Sequence, residues 1–78
     1  MNKIDGIKVH NSVKEAPANE IPQILYAVNL MLKREPESGK KGFAFKMNRI
    51  ENGKEWENKY SYSDEDGLVF EPNKDPLI

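Results

Sequence analysis

Apolar and polar residues alternate with a period of two near the start of this chain and again through its second half, and between these stretches they recur at helical spacing. Ile7 and Val9 flank Lys8, which predicts a short first strand with both aliphatic side chains on one face. Val13 to Ala18 reads as a connection, broken by Pro17. Ile21, Ile24, Leu25, Val28, Met31 and Leu32 then fall on one helical face, with Tyr26 and Leu30 at its edge. Asn19 suits the N-cap, and Glu20 and Pro22 suit the first turn. Lys33 and Arg34 complement the C-terminal end, and Pro36 with Gly39 stops the run. The helix should span roughly 15 residues, or about 22 Å.

The stretch from Lys41 to Leu68 contains the only Trp and two turn dipeptides, Asn52-Gly53 and Asp66-Gly67. A two-residue type I′ turn at Asn52-Gly53 sets Glu51 opposite Lys54. Counting outward, Arg49 faces Trp56, Met47 faces Asn58, Phe45 faces Tyr60 and Phe43 faces Tyr62, all on one face. Two of these pairs are aromatic, and Arg49 over Trp56 suits a cation–π contact. The other face carries Ala44, Lys46, Asn48 and Ile50 against Ser61, Lys59, Glu57 and Glu55. Lys46 opposite Lys59 is its one unfavourable pair, with Glu57 placed diagonally to offset it. A one-residue slip would mix the two faces, so pattern and turn specify the same register. A three-residue loop, Glu65-Asp66-Gly67, would then set Tyr62 opposite Phe70, and Pro72 ends the third strand or marks it as an edge.

These elements predict one α+β domain over residues 1–78. An amphipathic helix packs on a three- to four-stranded antiparallel sheet, in the order strand–helix–strand–strand–strand. Residues 1–3 and 73–78 are expected to be irregular, with Leu77 and Ile78 either docked or loose. The 78-residue chain has no Cys, so its core gains nothing from disulfides or thiolate metal sites. The aromatic face is the only apolar face available to the helix, so Phe43, Phe45, Tyr60 and Tyr62 are expected in the core. No apolar run has the length of a signal peptide's core or of a membrane span, so a cytoplasmic protein without membrane contact is expected.

Net charge is −1, unevenly distributed. Residues 33–54 carry Lys33, Arg34, Lys40, Lys41, Lys46, Arg49 and Lys54 against Glu35, Glu37 and Glu51. Residues 55–78 carry Glu55, Glu57, Asp64, Glu65, Asp66, Glu71 and Asp75 against only Lys59 and Lys74. Candidate catalytic chemistry is sparse. His10 is the lone histidine, next to a turn-forming Asn11, and Ser12, Ser38, Ser61 and Ser63 have no evident base. Asp64-Glu65-Asp66-Gly67 lacks the length and spacing of a calcium loop, and Ser38-Gly39-Lys40-Lys41-Gly42 lacks the spacing of a phosphate-binding loop. The expectation is a protein that is not an enzyme and uses neither cofactor nor metal.

Lys41-Gly42-Phe43-Ala44-Phe45 resembles the start of the RNP1 strand of RNA-recognition motifs, which runs basic, Gly, aromatic, Gly or Ala, aromatic. The resemblance implies that Phe43 and Phe45 stack on bases and that Lys41 meets phosphate. It covers these five residues. Lys46 and Asn48 stand where the family has an apolar and an aromatic residue, and the hairpin that follows departs from the family's element order.

The expected function is a protein-binding module, an accessory protein or an inhibitor of the phage type. It would occupy the surface of a larger partner through Glu55, Glu57, Asp64, Glu65, Asp66, Glu71 and Asp75. A basic groove that otherwise holds nucleic acid would suit that charge. The alternative is single-stranded RNA or DNA binding through Lys40, Lys41, Phe43, Phe45, Lys46 and Arg49. Self-association through an open sheet edge would give a homodimer.

Overall fold

The computed structural model describes residues 2–72; Asp75, Leu77 and Ile78 lie outside them. The chain opens with a hairpin of two three-residue strands, β1 (Asn2–Ile4) and β2 (Ile7–Val9). A 3-10 turn (Asn11–Glu15) leads to the main helix α1 (Ile21–Arg34) and a four-residue helix α2 (Ser38–Lys41). Strands β3 (Phe43–Glu51), β4 (Lys54–Ser63) and β5 (Gly67–Glu71) follow. The five strands form one sheet in the order β1-β2-β5-β4-β3. β2 and β5 run parallel, with Val9 opposite Leu68, and the other pairs are antiparallel.

The α+β class and the single main helix are as the sequence implies. The expected antiparallel sheet of three or four strands is in fact a five-stranded mixed sheet, because Asn2–Ile4 adds a strand and β2 pairs parallel with β5. Its hairpin turn is Asp5-Gly6, with φ of 51° and 81°, both left-handed as a type I′ turn requires. The dipeptide is a hairpin signal, but Asn2-Lys3-Ile4 has a single apolar residue and so shows no alternation to mark the strand before it. The connection after Val9 begins as a 3-10 turn capped by His10, whose Nδ1 accepts the Ser12 N–H at 3.0 Å. The Ser12 hydroxyl in turn accepts the Phe70 N–H at 2.9 Å and so ties this turn to β5. The lone histidine sits at the strand end as a cap.

α1 is 14 residues long. Its N-cap is Glu20 rather than Asn19, and the Glu20 side chain makes no capping bond. Ile24, Leu25 and Val28 are buried together with Ile7, Val9, Tyr60, Tyr62, Leu68 and Phe70, so the helix and one sheet face share a single core. Tyr26 faces solvent.

The β3–β4 register is the one the Asn52-Gly53 turn dictates, from Glu51 opposite Lys54 to Phe43 opposite Tyr62. Asn52 and Gly53 have φ of 53° and 74°. The Lys46–Lys59 pair is offset as expected: the Lys46 ammonium lies 4.0 Å from the Glu57 carboxylate. The second turn differs from expectation by one position on each strand. Ser63 pairs with Gly67, so the loop is Asp64-Glu65-Asp66, and Tyr60, not Tyr62, faces Phe70. Both registers keep Phe70 on the aromatic face, and alternation alone therefore does not separate them. The Ser63 hydroxyl decides for the observed loop by accepting the Asp66 N–H at 3.1 Å.

β5 pairs with β4 only as far as Lys59 opposite Glu71. The first part of β4, with its partner residues on β3, therefore continues as a two-stranded ribbon past the end of β5. No helix among the described residues is long and apolar enough to cross a membrane.

Candidate functional site

β3 lies at one edge of the sheet and β1 at the other. The β1 edge is three residues long, whereas β3 offers nine. In a hairpin closed by a two-residue turn, the pair flanking the turn exchanges both backbone bonds, and bonded residues then alternate along the strand. Glu51, Arg49, Met47, Phe45 and Phe43 accordingly spend their N–H and C=O groups on β4. Ala44, Lys46, Asn48 and Ile50 turn theirs outward, and no described strand meets them. Gly42, with φ of 81°, sets the start of this edge by turning the chain out of α2.

Two surfaces flank the edge. Toward the helix side run Phe43, Phe45 and Met47, packed against the core yet half-exposed. Phe43 meets Phe45 edge-on and Tyr62 at a tilt, each at a centroid distance of 5.4 Å. The row ends in Arg49, whose guanidinium lies 5.8 Å from the Trp56 ring centroid and whose Nη2 is 3.4 Å from Glu51. Its Nε is buried without a hydrogen-bond partner. Beyond Phe43 a cleft of about 570 Å³ opens against Met31, Pro36 and Lys41. The opposite flank carries Ala44, Lys46, Asn48 and Ile50, and Ile50 is 79 % exposed.

The expected aromatic core divides in two. Tyr60 and Tyr62 are buried with Phe70, and Phe43 and Phe45 occupy the half-exposed margin. Of the residues proposed to bind nucleic acid, Lys41, Phe43, Phe45 and Arg49 share the helix-side flank. Lys46 points from the opposite face, and Lys40 pairs with Glu37 at 3.2 Å on α2.

The acidic candidates form two separate groups. Glu55 and Glu57 lie half-buried on the ribbon. Asp64, Glu65 and Asp66 form the turn at the other end of β4, about 23 Å from Glu57 and about 30 Å from Glu55 at about 3.3 Å per strand residue. That turn is anchored: Asp64 N–H donates to Gly39 O at 2.9 Å, and the Lys8 ammonium donates to Glu65 O. Glu71 stands opposite Lys59. No group of three His, Cys, Asp or Glu side chains occurs among the described residues at a spacing that would hold a metal ion.

Sequence reasoning did not find a buried polar cluster beneath the helix start. Glu20 is only 4 % exposed, and its carboxylate accepts the Tyr60 hydroxyl at 2.6 Å and the Asn58 amide at 3.2 Å. Asn58 is buried as well, so three side chains from α1's N-cap and β4 satisfy one another. Burial, followed by the hydrogen bond and charge of Glu20, raises the Tyr60 pKa strongly. Burial, with a smaller contribution from Asp64, raises that of Tyr62. A tyrosine whose pKa is raised on folding contributes stability that is complete below its unfolded value near 10 and declines as pH rises toward the folded one. Unfolding free energy should therefore fall above pH ~10 with a slope approaching about 1.4 kcal/mol per pH unit from Tyr60, and Tyr62 should act in the same direction. Urea titrations at pH 8 to 11.5 measure this, and Tyr60→Phe should make the alkaline slope shallower.

The described residues thus form a small α+β domain with a mixed five-stranded sheet, a nine-residue edge strand that no described strand covers and a half-exposed aromatic margin. Comparison with protein-family models, curated proteins and solved structures found no match in any of the three.

Proposed function

We propose that this chain is a non-enzymatic protein-binding module, an accessory or inhibitor protein that receives an extended segment of a larger partner along the free edge of β3. One observation carries the reading: the edge is nine residues long and is flanked by the half-exposed Phe43, Phe45 and Met47. Backbone bonds from Ala44, Lys46, Asn48 and Ile50 would give affinity, and the aromatic margin would select the side chains that alternate toward it. The acidic turn Asp64-Glu65-Asp66 would steer encounter with a basic partner surface, such as a groove that otherwise holds nucleic acid.

A second reading, single-stranded nucleic-acid binding, is favoured by the half-exposure of Phe43, Phe45 and Trp56 beside Arg49. Retention of host proteins on the immobilised chain, with and without nuclease, separates the two. Asn48→Pro removes an outward N–H that β4 does not use, and proline is tolerated at such an edge position. The variant should keep its stability within about 1 kcal/mol and lose the retained partner. A partner that survives both nuclease and Asn48→Pro rules out edge docking. Retention that nuclease abolishes supports the nucleic-acid reading.

A further inference from the structure

We propose that, before it meets a larger partner, the chain pairs with a second copy of itself through β3. The two edges would run antiparallel about a two-fold axis at Met47. This inference rests on the proposed use of the β3 edge and names one occupant of it.

Three features of β3 select that occupant and that register. The outward-facing backbone groups belong to Ala44, Lys46, Asn48 and Ile50, so an antiparallel copy must bring even positions opposite even positions. Met47 is the midpoint of Phe43–Glu51, and an axis there engages the whole strand. Ala44 then faces Ile50 of the second copy, and Lys46 faces its Asn48. Each of the four residues exchanges one N–H and one C=O, for about eight bonds in all.

The side chains agree with this register. Ile50, the most exposed large apolar residue among those described, gains apolar Ala44 as its neighbour. Phe45 meets Arg49 of the second copy, where the guanidinium's aromatic contact extends to a second ring. Lys46, with a side chain 63 % exposed, is the residue that would ordinarily block an edge. Directly opposite it stands Asn48, and Lys46 of the second copy lies only on the diagonal. Moving the axis by one residue loses these features. An axis at Lys46 sets two ammonium groups face to face, and one at Asn48 places Lys46 opposite Ile50 and leaves Ala44 beyond the end of the paired strand. The β1 edge offers no comparable surface, being three residues long.

The register also predicts a covalent signature. Met47 lies opposite itself as a non-hydrogen-bonded pair, in which Cα atoms approach to about 4.5 Å, within the range a disulfide spans. The chain has no cysteine of its own. Under mild oxidation (glutathione disulfide as oxidant), two Met47→Cys thiols would lose their protons and two electrons and form one S–S bond between copies. The glutathione disulfide would be reduced to two glutathione thiols. Met47→Cys should cross-link rapidly, and Lys46→Cys and Phe45→Cys at least tenfold more slowly, since each faces a different residue. In sedimentation equilibrium from about 1 µM to 1 mM, the wild type should show a monomer–dimer equilibrium. Asn48→Lys should weaken the dimer tenfold or more and Asn48→Glu should tighten it, each acting on Lys46 of the second copy.

A wild type that stays monomeric to 1 mM overturns the inference, as does equal cross-linking at positions 45, 46 and 47. If the wild type is monomeric while Asn48→Pro still abolishes partner retention, edge docking of a larger protein stands and self-pairing fails. A dimer sensitive to Asn48→Lys in a protein that retains no partner gives the converse result.

Discussion

Gly67→Ala should destabilise the domain by about 3 kcal/mol or more, a large share of the ~4–12 kcal/mol expected for a chain of this size. Two costs combine. Gly67 has φ of 76°, which an alanine adopts only with strain of about 1–2 kcal/mol. An added Cβ would also lie 2.5 Å from the Lys8 carbonyl oxygen and 2.8 Å from its carbon, both backbone atoms of β2. A flexible side chain would move aside, but here a whole strand must retreat. That strand carries the Val9–Leu68 pairing and the 2.8 Å bond from His10 N–H to Leu68 O, which join the N-terminal hairpin to the rest of the sheet. Urea denaturation should therefore show a lower midpoint and a smaller m-value, because a detached hairpin exposes surface before global unfolding. Gly53→Ala and Gly39→Ala are the controls. Gly53 has φ of 74° but open space around it, so only the strain should register. At Gly39 the atoms nearest the Cβ are those of the Asp64 carboxylate, which can rotate away, so the cost should stay at about 1 kcal/mol. Equal losses at Gly67 and Gly53 would refute the close parallel contact between β2 and β5.

Glu20→Ala should cost about 3–5 kcal/mol, more than any surface substitution. The variant leaves the fully buried Tyr60 hydroxyl and the buried Asn58 amide without their acceptor. Each unsatisfied buried group costs about 1–3 kcal/mol. Tyr60→Phe should cost less, about 1–2 kcal/mol, because Asn58 still satisfies Glu20. In the double variant Glu20→Ala with Tyr60→Phe, removing the hydroxyl relieves part of the damage. A double-mutant cycle by chemical denaturation should then give a coupling energy of at least ~1 kcal/mol. Strict additivity would show that the 2.6 Å bond contributes nothing. The cluster couples the start of α1 to β4, the strand that carries β3, so loosening it should also loosen the hairpin base behind the proposed interaction edge.

The β3–β4 hairpin was the most legible part of this fold, because a two-residue turn and a period-two pattern are local and here agree residue by residue. Arg49 on Trp56 and Lys46 beside Glu57 followed from counting outward from Asn52-Gly53. Glu20 was misjudged for the opposite reason. An acid just before a helix matches the dipole rule, and only the position of Asn58 and Tyr60 across the core shows that its carboxylate turns inward. The clustering of the acidic residues in sequence predicts one surface, but a strand of ten residues carries its two ends far apart.

The sequence by itself determined the helix, the β3–β4 register and which apolar face of each element turns toward the core, since each depends on spacing within one segment. Only the tertiary structure decided which strand is left at the edge. β2 pairs with β5 across almost sixty residues of intervening chain, and nothing in either short strand specifies that partner over β3. The absence of a Cβ at Gly67 permits the close approach, and packing of Ile7, Val9, Leu68 and Phe70 under α1 stabilises it. With β2 seated beside β5, the long strand β3 remains outermost, and its outward N–H and C=O groups become the surface on which the proposed function rests.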